Sequence, residues 1–212
     1  MVRFIIVRHG RSETNSSNKF AGQKDVALDE VGVLQAEKVS KYLLENYRID
    51  RIYSSDLSRA INTIKPVAQN LGMEIEKIKG LRELDVGEWE GRTAREVEKL
   101  YPESFAIYKS NVGRFRPEGG ESYEELMLRS KSVLDRLALE NEGKTVLVGT
   151  HGTFIRCLYC AINSVGLDDV KDVPHIANAS ISIVDYAGEK CKFVEYGACN
   201  HLEGLVTRFR II

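Results

Sequence analysis

The chain has little that would staple or interrupt it: 4 cysteines and 4 prolines in 212 residues. Cysteines this sparse do not make the framework of a small secreted domain and point to a reducing, cytoplasmic setting. Cys157 and Cys160 do form a C-x-x-C pair, and Cys191 with Cys199 could complete a zinc site. The pair falls inside an apolar helical stretch, 154–162, rather than at a helix start, and the other two are too widely spaced for a zinc motif. All four therefore read as structural thiols. Charge of one sign is lacking too. Lys and Arg number 30 against 31 Asp and Glu, a net charge of −1. That balance gives no electrostatic case for nucleic acid or an anionic membrane surface. Long hydrophobic runs are missing as well, the opening one (4–7) being shorter than a signal-peptide core or a membrane span. A small soluble molecule is the expected partner, and a homodimer is compatible with this surface.

What is present is an alternation of periods. Strand candidates at 2–7, 50–53, 73–78 and 145–149 are separated by helical stretches, which predicts a single domain over 1–212 built as a three-layer α/β/α sandwich around a mostly parallel sheet. One helix is expected over 29–46 with Leu34, Val39 and Leu43 inward, and another over 55–71 that stops at Gly72 and is kinked or irregular at Pro66. Thr93-x-x-Glu96 and Ser122-x-x-Glu125 are capping boxes, the second opening a helix with Leu126, Val133, Leu134 and Leu137 inward. Residues 92–120 hold two short helices around Pro102 and then Gly119-Gly120, a helical insertion over the sheet of the kind that serves as a lid. At the end, 181–186 and 191–196 flank Ala187-Gly188-Glu189-Lys190, a turn that predicts an antiparallel edge hairpin. Asn178-Ala179-Ser180 matches a glycosylation acceptor, inert in a chain without a secretion signal.

Arg8-His9-Gly10 follows the apolar run Phe4-Ile5-Ile6-Val7, placing a guanidinium and an imidazole at a strand's carboxyl end. Open α/β sheets bind ligands outside those ends, and an arginine fork there suits phosphate. The pattern returns at Val146-Leu147-Val148-Gly149-Thr150-His151-Gly152. A second arginine, Arg59 in Ser55-Asp56-Leu57-Ser58-Arg59-Ala60, sits in the first turn of a helix, where free amides and the dipole attract anions. Taken alone, His151 is a turn histidine and Arg59 a surface arginine paired with Asp56; the repeated strand-His-Gly pattern favours one shared site. The loop from Leu81 to Gly91 offers Glu83, Asp85, Glu88 and Glu90. Spacing does not choose among them, but Glu83 lies nearest the strand end.

These residues, together with Asn15, Gly22 in Phe20-Ala21-Gly22, Trp89-Glu90-Gly91, Gly120-Glu121-Ser122 and Arg129, resemble the histidine phosphatase superfamily, also called the phosphoglycerate mutase-like family. The ordered match runs from residue 2 to about 185. The resemblance implies His9 as phosphate-accepting nucleophile, Arg8, Arg59 and His151 as the phosphate pocket, Glu83 as proton donor and acceptor, and Asn15, Gly22, Gly152 and Thr153 as supporting contacts. It implies neither metal nor cofactor. The chain departs from the family pattern at Arg11, Thr150 and Ile64, and Arg11 places an extra cation near the mouth.

Phosphoglycerate mutases of the family carry a longer insertion, a tyrosine three residues after the glutamate and a lysine further on, where this chain has Val86 and Ala94; Thr153 stands where they have asparagine. The expectation is therefore a phosphomonoesterase acting on a small phosphorylated metabolite, with Tyr101, Phe105, Tyr108 and Phe115 available to line the insertion. A cofactor-dependent mutase and a catalytically silent phosphate-binding module are the alternatives. A metallohydrolase using His9, His151, His175 or His201 lacks any H-x-H or H-E-x-x-H spacing.

Overall fold

A run of apolar residues buried on both faces sets the centre of the molecule. The computed structural model describes residues 1–188 and 190–207. Strand β1 (Val2–Arg8) sends Val2, Phe4 and Ile6 into one core and Ile5 and Val7 into another on the opposite face, as the two-residue period of a strand requires. A strand apolar on both faces belongs in the middle of a sheet covered on both sides.

The chain continues through the short helix α1 (Glu13–Ser16), α2 (Glu30–Asn46), β2 (Arg51–Ser54), α3 (Ser58–Leu71) and β3 (Glu76–Lys77). After the carboxylate-rich loop come α4 (Ala94–Leu100), α5 (Pro102–Ser110), α6 (Tyr123–Glu140), β4 (Thr145–Thr150) and α7 (Gly152–Ile162). Strands β5 (Ile181–Ala187) and β6 (Lys190–Ala198) close the sheet, whose order is β3-β2-β4-β1-β5-β6. The first four positions are parallel, while β5 and β6 run antiparallel. This is the expected mostly parallel sheet with an antiparallel hairpin at one edge. Gly188 in the hairpin turn has φ 63°, and Glu189 of that turn lies outside the described residues.

Helices α2 and α3 pack Val39, Leu43, Ile64 and Val67 on one face, while α6 and α7 pack Leu126, Leu134, Leu137, Phe154 and Leu158 on the other. Each fully buried side chain of this size is worth about 1.5–3 kcal/mol. Four expectations need correction. Leu34 is exposed, and α2 instead turns Gln35, Ala36, Val39, Ser40 and Leu43 inward. Val133 is only half-buried. Helix α3 begins at Ser58, because residues 55–57 stay extended and Ser55 Oγ accepts the Leu57 N–H; it then runs through Pro66 and stops at Gly72 in a left-handed cap. The strand expected over 73–78 is reduced to two exposed residues at the open edge, since the Met73 N–H turns back to the Ala68 carbonyl at the end of α3.

Both capping boxes form as read, at Thr93 and Ser122. Between them, α5 is fastened by aromatics around the fully buried Trp89, whose ring centroid lies 4.5 Å from Phe115, 5.2 Å from Phe20, 5.4 Å from Tyr108 and 5.9 Å from Phe105.

Candidate active site

Register brings the chemistry together. Arg8 pairs with Thr150 between β1 and β4, and Ser54 with Gly149 between β2 and β4, so three parallel strands end at one level. The residues that follow, His9, Ser55 and His151, emerge side by side. The imidazoles of His9 and His151 stand 5.2 Å apart between ring centroids.

Each ring is held by its neighbours. His9 Nδ1 lies 2.7 Å from the Gly10 carbonyl, which only accepts, so Nδ1 carries the hydrogen and Nε2 is the free nitrogen. Gly10 N–H in turn donates to Thr63 Oγ1, and Thr63 donates to the Arg59 carbonyl, fixing the loop on α3. His151 Nε2 is 2.9 Å from Ser55 Oγ. With Ser55 Oγ accepting from Leu57 N–H and donating its own hydrogen to His151 Nε2, the ring proton lies on Nδ1; this is the tautomer taken for the reaction below. Burial, then the Arg59 charge, hold both imidazoles well below their ordinary 6.5.

The guanidiniums are buried beside them. Arg59 donates to the Lys24 and Gly22 carbonyls at 2.8 Å each, and Arg8 to the Ile176 carbonyl. Burial pushes Arg8 down to about 10 against the opposing pull of Glu83. Arg8 Nε, Arg59 Nε and His151 Nδ1 are buried without a hydrogen-bond partner. An unpaired buried polar group costs about 1–3 kcal/mol, so three such nitrogens in one region have the chemistry to receive an oxyanion. Gly152 belongs to it by close approach, since a Cβ there would lie 3.0 Å from Arg8 Nε. Gly22 has φ 53°, and a Cβ on it would strike Glu90 and Val86.

Glu83 caps a helix from a distant segment. Its carboxylate accepts from the N–H of Thr153 and of Phe154 at 3.1 Å each, in the first turn of α7, and from Leu84 N–H at 2.9 Å. Of the loop's other carboxylates, Asp85 takes the Gly87 N–H, Glu90 takes the Gln23 N–H, and Glu88 is exposed. The Asp56 partner is Arg82, in a two-pronged pair at 2.6 Å, not Arg59. Arg129 donates to the Gly80, Arg82 and Glu83 carbonyls while paired with Glu121.

The cleft is lined by Arg8, His9, Asn15, Gly22, Arg59, Glu83, Gly152 and Thr153, with Phe20, Trp89, Tyr108, Phe115 and Tyr123 as an aromatic wall. All the sequence-predicted site residues but His151 thus line it, and His151 packs against His9. Asn15 Oδ1 accepts from Ser12 and Asn178, so its NH2 remains for a ligand. Tyr101 and Phe105 do not reach the cleft; Phe105 is buried behind Trp89. Nor does Arg11, whose charge is tied to Asp29 at 2.6 Å. Sequence reading gave no role to Ser55, Thr63 or Asn178. Asn178, met only as a glycosylation-type tripeptide, donates to the His9 carbonyl and to Asn15. Among the described residues no three His, Cys, Asp or Glu side chains converge as metal ligands, and no helix is long and apolar enough to cross a membrane.

The chain belongs to the histidine phosphatase superfamily (branch 1), whose family model matches residues 4–198. It is an enzyme of the phosphatase kind. It is 33% identical over 202 residues to phosphoglycerate mutase-like protein 4 of Arabidopsis thaliana, covering 94% of this chain and 86% of that protein. It is 29% identical over 207 residues to a metal-independent phosphoserine phosphatase of the same plant, covering 97% and 85%. Among solved structures, Bacillus stearothermophilus YhfR superposes with a TM-score of 0.90 at 27% identity, covering 95% of this chain and all of that one.

Proposed function

We propose that this protein hydrolyses small phosphomonoesters through a phosphohistidine on His9, without a metal. The observation that carries the reading is the set of buried N–H donors without acceptors, on Arg8, Arg59 and His151, around an imidazole whose Nε2 is free. In the first step the Nε2 lone pair attacks phosphorus, the N–P bond forms, and the P–O bond to the alcohol breaks. Glu83 gives its proton to the departing oxygen. The guanidiniums and the His151 N–H hold the charge on the equatorial oxygens, the work that metal ions do in other phosphoryl transfers. In the second step Glu83 takes a proton from water, which attacks the phosphohistidine and releases phosphate.

The cleft, narrowed by Phe20, Tyr108 and Phe115, suits a small alcohol portion. The sparse cysteines support a cytoplasmic setting as part of this proposal. The test is a panel of phosphomonoesters assayed with a chelator present. Hydrolysis that persists in chelator supports the reading; activity lost to chelator and restored by one metal overturns it.

A further inference from the structure

Behind the wall of the cleft lies a cation that none of the steps above uses. Arg156 on α7 is 2% exposed, yet among the described residues no carboxylate pairs with it. Nη2 donates to the Val170 carbonyl at 2.5 Å, Nη1 lies 3.1 Å from His175 Nε2, and Nε has no partner. Its charge acts on the phenols of Tyr108, Tyr123 and Tyr196, on the thiols of Cys157 and Cys160, and on His175, all neutral at physiological pH. Glu83 of the phosphate pocket acts on Tyr108, Tyr123 and Cys157 as well, but makes no ion pair with Arg156. A buried charge without a counter-ion is costly, and natural sites relieve that cost by supplying an opposite charge.

His175 connects this cation to the cleft, which it lines beside Ile176, Tyr108 and Tyr123. An arginine N–H only donates, so His175 Nε2 accepts, and the ring hydrogen sits on Nδ1, the edge not facing Arg156. The next residue, Ile176, gives its carbonyl to Arg8 of the phosphate pocket. The segment that carries His175 is therefore fastened to the phosphate pocket through Arg8.

Resting on the phosphomonoesterase reading above, we infer that His175, oriented by Arg156, forms a subsite for a carboxylate on the alcohol portion of the substrate, so that the enzyme selects small phosphorylated acids. The carboxylate accepts from His175 Nδ1–H, and the Arg156 charge behind the ring strengthens that bond. Arg156 acts as a positioning residue. Lys19 also lines the cleft beyond the phosphate pocket; its exposed charge is solvated, and a Lys19→Met variant separates it from His175.

The experiment compares kcat/KM for two matched pairs, phosphoserine against phosphoethanolamine and 3-phosphoglycerate against glycerol 3-phosphate, in which only the carboxylate differs. The wild-type chain should favour the acid of each pair by roughly 10- to 100-fold, the factor of a charge-assisted hydrogen bond. His175→Phe should bring the ratio near one. Arg156→Met should do the same, with Arg156→Lys restoring part of it. His175 reaches the surface, so its variant stays informative if the buried Arg156 variants do not fold. A wild-type ratio near one, a ratio that survives His175→Phe, or a ratio abolished by Lys19→Met instead would overturn the proposal. Failure of the wild-type chain to hydrolyse p-nitrophenyl phosphate would instead overturn the phosphomonoesterase reading itself.

Discussion

His9 and His151 face one another at 5.2 Å, tilted by 59°, from the ends of two neighbouring parallel strands. Both are buried, and both are held in the neutral form by that burial and by the arginines beside them. One ring offers a bare Nε2 and the other an N–H. The same β1–β4 register thus delivers two neutral imidazoles to one place.

In the proposed reaction Arg59 and His151 hold charge that grows in the transition state. Interactions stronger there than in the ground state raise kcat rather than merely lowering KM. Arg59→Ala and His151→Ala should each lower kcat roughly 10²- to 10³-fold, the cost of removing one preorganised donor. Inhibition by vanadate should weaken in the same variants. Steady-state kinetics check this, and a rise in KM alone for both variants contradicts it.

Glu83, rather than Asp85, Glu88 or Glu90, is the carboxylate in the cleft. A general acid contributes about 10²- to 10⁴-fold when the leaving alkoxide needs a proton and little when p-nitrophenolate departs. With phosphorylation of His9 rate-limiting, Glu83→Gln should therefore harm phosphoserine turnover far more than p-nitrophenyl phosphate turnover. Pre-steady-state burst measurements report which step limits. If Glu88→Gln shows that selectivity and Glu83→Gln does not, the assignment is wrong.

Gly152 tests the close packing of the pocket. A Cβ would lie 3.0 Å from Arg8 Nε and 3.2 Å from its Cζ, so Gly152→Ala must shift the guanidinium. Misplacement by an ångström can cost about 10²-fold, and a loss of at least about tenfold in kcat/KM is expected with little change in Tm. Wild-type kinetics in this variant would mean that the Arg8 position is not critical.

Much of this site was legible because its residues lie at strand ends in short motifs: Arg8-His9-Gly10 and Thr150-His151-Gly152 report both the strand and the turn that follows. The contacts these and other residues make over long range were not legible. Glu83 caps α7 from a segment far away in sequence, and Asn178 and Arg129 work by donating to backbone carbonyls, a role that any polar residue brought there by folding could fill. The strand expected over 73–78 failed because edge pairing depends on neighbours that periodicity does not reveal.

Acid should destabilise the fold in a defined window. His9 and His151 lie well below 6.5 in the folded chain, and His175 is held to about 4 by burial of its inner edge and by the Arg156 and Arg8 charges. Between those values and 6.5 the unfolded chain binds protons that the folded one refuses, so stability is full above about 6.5 and declines as pH falls through the window. The carboxylates held low by arginines, Asp56 and Asp185, begin to contribute only near and below 3.8. Tm should thus fall from pH 7 to pH 5; a flat profile over that range contradicts neutral buried imidazoles.

The central claim is that phosphate passes through a covalent bond to His9. Rapid quench of the enzyme with a labelled phosphomonoester, followed by peptide mapping, tests it most directly. The account predicts phosphate on the peptide containing His9, labile in acid and stable in base, formed fast enough to lie on the pathway and absent in His9→Ala, which should lose nearly all turnover. Label on another residue, or a His9→Ala variant that keeps a tenth of the wild-type rate, would contradict it.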